Sequence, residues 1–112
     1  YNGGLQRLID QGIPDSYLLF PNHPNPFNPV TTIKYALPEQ SNVQLTIFDL
    51  LGRKINTLKS QREDAGWYSI KWDGTDENGK PLSSGMYIIK MSTQSLESQE
   101  IFTQSQKVVL MK

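Results

Sequence analysis

The sequence predicts an all-β fold of about seven short antiparallel strands, and three observations predict it. Apolar and polar residues alternate at period two through most of the chain, which buries one face of each strand. Turn-forming Asp, Asn, Gly, Pro and Ser separate those runs at intervals of roughly 8–12 residues. Four prolines within residues 21–29 forbid a helix there and cannot sit in a central strand. This is the pattern of an immunoglobulin-like β-sandwich.

Taken in order, residues 1–16 read as a linker or the tail of an upstream domain, and residues 17–112 as the folded unit. Leu5, Leu8 and Ile9 fall at i, i+3, i+4 and allow a short helix over residues 5–11, which Gly12 and Pro14 end. The run Tyr17-Leu18-Leu19-Phe20 enters the proline-rich segment. That segment is expected to be a stiff, extended or turned crossing anchored by Phe27, because each residue before a proline is pushed towards extended geometry.

From Thr31 the chain reads as strands. Ile33, Tyr35 and Leu37 alternate with Thr32, Lys34 and Ala36. Val43, Leu45 and Ile47 alternate with Gln44 and Thr46, and Phe48 breaks the rule. Ile55 and Leu58 are three apart, which predicts a bulge or a short edge strand. Tyr68, Ile70 and Trp72 share one face; Tyr87, Ile89 and Met91 share another. The end of the chain holds the apolar run Val108-Val109-Leu110-Met111, and residues 95–106 read as a connection longer than a tight hairpin. Asp49-Leu50-Leu51-Gly52 fits a type I turn. Asn78-Gly79 signals a hairpin, although Asp76-Glu77-Asn78-Gly79 also fits a type I turn.

Composition excludes several functions. Eleven basic and eleven acidic residues leave no net charge, which argues against a nucleic-acid or anionic-membrane binder. No cysteine means no disulfide, zinc–thiolate site, iron–sulfur cluster or thiol nucleophile. No apolar run approaches a membrane span, so membrane insertion is not expected. The chain begins with Tyr rather than Met and is expected to be a piece of a longer protein that ends naturally at Lys112.

Candidate chemistry is sparse. His23 lies between Asn22 and Pro24, and no serine sits in a nucleophile-elbow motif, so a hydrolytic triad is not expected. The pairs Asp73/Asp76, Glu63/Asp64 and Glu97/Glu100 lie in polar stretches where solvated or turn-forming carboxylates are expected. The loop from Asp73 to Gly79 alternates oxygen-bearing residues as a calcium loop does, but no glutamate follows at the distance a bidentate ligand needs. A turn is the expected reading, with no metal or cofactor. Trp67 points away from the face shared by Tyr68 and Trp72. It is the residue to examine for an alternative function, an accessory carbohydrate-binding module of a secreted enzyme.

Several motifs occur in one order. Pro24-Asn25-Pro26-Phe27-Asn28-Pro29 comes first, then Thr32-Ile33-Lys34-Tyr35 with Leu37-Pro38, then Val43-Gln44-Leu45-Thr46-Ile47-Phe48-Asp49-Leu50-Leu51-Gly52-Arg53. Gly66-Trp67-Tyr68 with Trp72-Asp73-Gly74 follows, then Ser84-Gly85-Met86-Tyr87, and last Lys107-Val108-Val109-Leu110-Met111-Lys112. Together they resemble the type A C-terminal sorting domain of the type IX secretion system, and the middle is similar to the Ig-like domain of the flagellar hook-capping protein. The resemblance implies a non-enzymatic signal at the end of a secreted cargo. Such a signal is read by an outer-membrane translocon and commonly removed by a surface sortase that attaches the cargo to the cell surface. Lys107, Val108, Val109, Leu110, Met111 and Lys112 are then the candidate recognition residues. The remaining motif residues, Pro24 to Pro29, Asp49, Gly52, Arg53, Trp72, Asp73, Gly74, Gly85 and Tyr87, are given structural roles. An apolar strand at a chain end is either a paired edge or a peptide open to strand addition.

Overall fold

The computed structural model describes residues 12–112. Seven strands form two antiparallel sheets packed face to face. The three-stranded sheet has the order β1-β2-β5, from β1 (Leu18–Leu19), β2 (Thr31–Leu37) and β5 (Gly66–Trp72). The four-stranded sheet has the order β4-β3-β6-β7, from β3 (Ser41–Phe48), β4 (Lys54–Glu63), β6 (Gly85–Ser95) and β7 (Ile101–Leu110). The short link through Pro38 carries the chain from one sheet to the other, and the longer loop after Trp72 does so again. With the tight link from Glu63 to Gly66, which returns the chain between these two, three crossings make the sandwich immunoglobulin-like, as the alternation predicts. The expected helix over residues 5–11 lies outside the described residues.

The inward sets are those the periodicity marks. Ile33, Tyr35, Leu37, Val43, Leu45, Ile47, Trp72, Tyr87, Ile89 and Met91 are buried in one core, joined by Phe27, Val108 and Leu110. Ala36 departs from the pattern: its phase is outward, yet it is buried in register beside Leu18 and Trp67. Trp72 is the largest fully buried side chain. Its indole N–H donates to the Thr75 carbonyl at 3.0 Å, so its one polar atom is satisfied.

Three local expectations are corrected. The Gln- and Ser-rich stretch 95–106 is not a long connection. Strand β7 begins at Ile101, and only residues 96–100 form the loop. Its inward positions hold Gln104 and Gln106 in place of apolar residues, which hides the alternation. Their amides donate to the carbonyls of Leu19 and Phe20 at 3.1 and 3.0 Å and so tie β7 to β1 across the sheets. The odd spacing of Ile55 and Leu58 does mark a bulged edge: the β3–β4 register shifts between Leu45 and Thr46 and again between Ile47 and Phe48. But β4 is ten residues long rather than short. Third, Asn78-Gly79 closes no strand hairpin. It completes a turn inside the crossing loop, where Thr75 and Pro81 form an isolated bridge.

That turn and the one at Asp49 are the same device used twice. In each, the fourth-residue N–H donates to the aspartate carbonyl at 3.0 Å, and the aspartate N–H donates to the fifth-residue carbonyl. In each, one carboxylate oxygen accepts from the third and fifth N–H groups at 2.9 Å. Glycine at the fourth place takes a positive φ, +84° at Gly52 and +82° at Gly79. The sequences Asp-Leu-Leu-Gly-Arg and Asp-Glu-Asn-Gly-Lys share only the Asp, the Gly and a terminal cation. Asp and Gly are what the geometry requires.

Two predictions follow from this packing. Trp72→Ala is expected to lower stability by about 3–5 kcal/mol in urea denaturation, the usual cost of emptying a large aromatic site. A loss under about 1 kcal/mol would mean the core does not depend on it. The second concerns acid. The Arg53 backbone N–H, opposed by desolvation and helped by the Arg53 side chain and the Leu51 N–H, holds the Asp49 carboxyl below its ordinary 3.8. A depressed folded value contributes stability above the unfolded carboxyl's range and loses it as pH falls through the folded value. Asp49→Asn is therefore expected to flatten the acid limb of a stability–pH profile; an unchanged limb would show that this turn is not part of it.

Candidate functional site

The sequence motifs that stand far apart in the chain meet at one end of the sandwich. Phe27 is fully buried there, with its ring centroid 5.3 Å from that of Trp72. Trp72 in turn meets Tyr87 edge-on at 6.0 Å. The Tyr87 hydroxyl donates back to the Ser83 carbonyl at 2.7 Å, a corner that fixes the start of β6. Gly74 lies beneath this cluster at φ +74°, and a Cβ there would meet Leu110 at 3.4 Å and Phe27 at 3.5 Å. Those are ordinary contact distances, so it is the positive φ that selects glycine. Asp73 accepts from the Thr75 hydroxyl at 2.6 Å. Gly85, by contrast, has open space where a Cβ would stand, so its φ of +155° rather than packing distinguishes it.

The proline-rich segment lies along the outer edge of β7. Phe27 N–H donates to the Val109 carbonyl and Met111 N–H donates to the Phe27 carbonyl, both at 2.9 Å. The Asn25 side chain accepts from Val109 N–H at 2.9 Å and donates to the Lys107 carbonyl at 3.4 Å. Asn25 and Phe27 thus supply the ladder partners that the prolines at 24, 26 and 29 cannot. Pro24, Pro26, Asn28 and Pro29 are exposed and frame this contact. Sequence reasoning missed Asn22 and Thr31, which hold the segment from beneath. The Asn22 amide donates to the Thr31 hydroxyl at 2.9 Å, and that hydroxyl donates to the Pro24 carbonyl at 2.8 Å. An Asn within the proline-rich run, with a threonine opening the strand that follows, is the signal that was available.

Of the two possibilities for the terminal strand, the structure shows the paired edge. Strand β7 pairs with β6 on one side, and Asn25 and Phe27 cover Val109 and Met111 on the other. Val108 and Leu110 are buried in the core. Lys107, Val109 and Met111 have the opposite phase and lie on the outer face of the sheet, with Lys112 at the end, its N–H held by the Ser84 hydroxyl at 2.9 Å. Over residues 107–111 the strand therefore presents its outer face rather than an open edge.

The other candidates separate. His23 is exposed, and its backbone forms a bridge with Thr32. Asp76 gives its carboxylate to the turn just described. Among the described residues no three His, Cys, Asp or Glu side chains gather as a metal site. Glu63 departs from the expectation of a solvated carboxylate. It is buried where β4 meets β5 and accepts hydrogen bonds from the Tyr35 hydroxyl, from Lys59 at 2.9 Å and from Gln61 at 3.2 Å. Burial first, and then this bond, push the Tyr35 phenol well above its ordinary range. Trp67 is exposed as expected, with Phe20 tilted against it at 6.3 Å.

Comparison with known proteins gives the fold a context. Dimeric latent PorU from Porphyromonas gingivalis matches with a TM-score of 0.61 at 23% identity, over 84% of this chain and 9% of that one. FlgD from Xanthomonas campestris, described for hook capping in flagellar assembly, matches with a TM-score of 0.58 at 22% identity, over 87% and 66%. FlgD from P. aeruginosa matches with a TM-score of 0.56 at 23% identity, over 71% and 60%. The chain therefore spans a small part of PorU and less than two-thirds of either FlgD chain, and at these identities the likeness is one of fold. No curated protein matches it in sequence. The family of FlgD Ig-like domains matches residues 29–97, more than half of the chain and all of β2 to β6, and the chain belongs to that family.

Proposed function

We propose that this chain is a non-catalytic sorting domain, carried at the end of a secreted cargo and directing it across the outer membrane through a type IX secretion system. The cargo is then cleaved from the domain and attached at the cell surface. The partners are the translocon, the surface sortase and an upstream cargo domain. The observation that carries this reading is the lock at one end of the sandwich. The proline motif, the Trp72-Asp73-Gly74 corner and the terminal strand resemble one family's motifs in order, and they pack on one another. The fold also recurs as a minor part of a much larger chain, PorU, as an appended module would. The half-exposed Trp67, with Phe20 beside it, is what favours the alternative of a carbohydrate-binding module.

Fusion of the whole chain to a reporter, in a host with this secretion system, tests the proposal. Deleting residues 107–112 is a poor probe, because it removes the buried Val108 and Leu110 and the fold with them. Lys107→Glu with Lys112→Glu changes only exposed charge, and such surface changes usually move stability by less than about 0.5 kcal/mol. The double variant is expected to stay folded and lose most export, while Trp67→Ala exports normally. A wild-type fusion that stays in the cell overturns the sorting reading, and sugar affinity that disappears with Trp67→Ala would then favour the alternative.

A further inference from the structure

The outer face of the four-stranded sheet has two unlike halves. Near the β6–β7 loop it is mostly polar, with Asn42, Gln44, Ser92, Gln94, Thr103 and Ser105 in outward phase and Arg62 and Ile101 at its two margins. Near the β3–β4 turn it is apolar. Phe48, the residue that breaks the alternation of β3, pairs in register with Ile88, and Met86 pairs with Val109. The turn adds Leu50, 62% exposed, and Leu51, 79% exposed; Met111, 55% exposed, follows the last strand. A shallow cavity of about 320 Å³ opens here, lined by Phe48, Asp49, Leu50, Gly52, Ile88 and Lys90.

Lysines frame this apolar centre. The register makes one row across all four strands, Lys54–Phe48–Ile88–Lys107. At the usual strand spacing its two cations stand roughly 14 Å apart. Lys90 lies in the next row, beside Thr46 and Ser105. No residue in these rows is acidic. Among the described residues the ion pairs are Arg53–Asp49 and Lys59–Glu63, so Lys54, Lys90 and Lys107 hold no partner. The neutral chain is thus polarised. Lys54, Lys90 and Lys107 gather at one end of this sheet, while Glu39, Asp64, Glu97 and Glu100 lie at the other with Arg62 as the one cation of the sheet's strands among them.

We propose that this face docks a protein segment with an apolar side chain flanked by carboxylates: the side chain enters the Phe48–Leu50–Ile88 cavity, and the acids meet Lys54, Lys90 and Lys107. Contiguous apolar surface with a charged rim is the form of a protein interaction site. Unpaired cations around it select the sign of the partner's charge. A second copy is the poorer occupant, because the acidic end uses its carboxylates internally. Glu97 accepts from Gln40 N–H, Asp64 from the Gln40 amide, and Glu39 from the Ser95 and Ser98 hydroxyls. A contact between opposite ends would also be heterologous, giving a ring or a filament rather than a two-fold dimer. The proposal shares Lys107 and Val109 with the sorting strand and names the chemistry of its partner, so it rests in part on that reading.

The test is an NMR titration of the labelled 112-residue chain with a synthetic peptide that alternates Glu and Leu. A Lys/Leu peptide is the control. Shifts are expected around Phe48, Leu50, Met86 and Ile88 with the acidic peptide alone. Lys54→Glu with Lys90→Glu is expected to weaken binding at least tenfold, and circular dichroism and thermal unfolding verify its fold. No shifts, or equal shifts with the basic peptide, overturn the proposal. Shifts of the same residues on concentrating the chain alone identify a second copy, and capture by phosphatidylglycerol vesicles that exceeds peptide binding identifies a membrane. Either overturns it as well. Reporter export is measured in parallel. A wild-type chain that binds the acidic peptide but is not exported overturns the sorting reading and leaves the docking face standing; a chain that is exported but binds no peptide does the reverse.

Discussion

The stacking of Phe27 on Trp72 is the contact on which the rest of this end of the molecule depends. Trp72 ends β5 in one sheet, and Phe27 sits in a segment that cannot itself be a strand. Their rings meet at 5.3 Å, and the Phe27 backbone at the same time completes the edge of β7 in the other sheet. One residue therefore closes the core with its side chain and an exposed edge with its main chain. Unpaired strand edges invite association, and natural sheets cover or charge them. Here the cover is a stretch of prolines, stiff enough to hold its shape and short of donors, and Asn25 lends a side-chain amide where the prolines have none. Gly74 permits the arrangement because its φ of +74° is one that residues with a side chain rarely adopt.

The opposite seam uses a different principle. Where β4 lies over β5, the inward positions of β4 are Lys59, Gln61 and Glu63 rather than aliphatic residues. Glu63 is held by Tyr35, Lys59 and Gln61, and Tyr35 stacks on Tyr68 at 5.2 Å. A buried carboxylate is tolerable only when its lone pairs are occupied, and removal of one partner costs more than the pair contributes. The sandwich is thus closed by an apolar lock at one seam and a polar one at the other. β4 itself is defended as an edge by its two register shifts and its charges.

This division explains what could be read from the chain alone. The fold was legible because alternation is a local signal: Ile33 to Leu37 and Val43 to Ile47 declare their inward faces without reference to any neighbour. The turns were legible for the same reason, since Asp and Gly at fixed offsets carry their own hydrogen bonds. What could not be read were contacts whose partners are distant in sequence. Glu63 looks solvated until Tyr35 is placed above it. Gln104 and Gln106 look like loop residues until the carbonyls of Leu19 and Phe20 stand opposite. The recognition strand was legible as a motif through its resemblance to a family, but the capping of its edge by Asn25 and Phe27 spans more than 80 residues and is visible only in space.

The capped edge in turn restricts how anything reads this domain. Adding a strand at Val109 would require Asn25 and Phe27 to leave, and Phe27 cannot leave without opening the core around Trp72. A receptor that used the backbone of the last strand over residues 107–111 would have to unfold one end of the sandwich first. A receptor that used side chains would meet a rigid surface, because the β3–β6–β7 register fixes Phe48, Ile88 and Lys107 in one row. Preorganisation of this kind lowers the entropic cost of binding. It also assigns a purpose to the residue that fits the sandwich least: Phe48 is out of phase for the core because it belongs to the other side of the sheet.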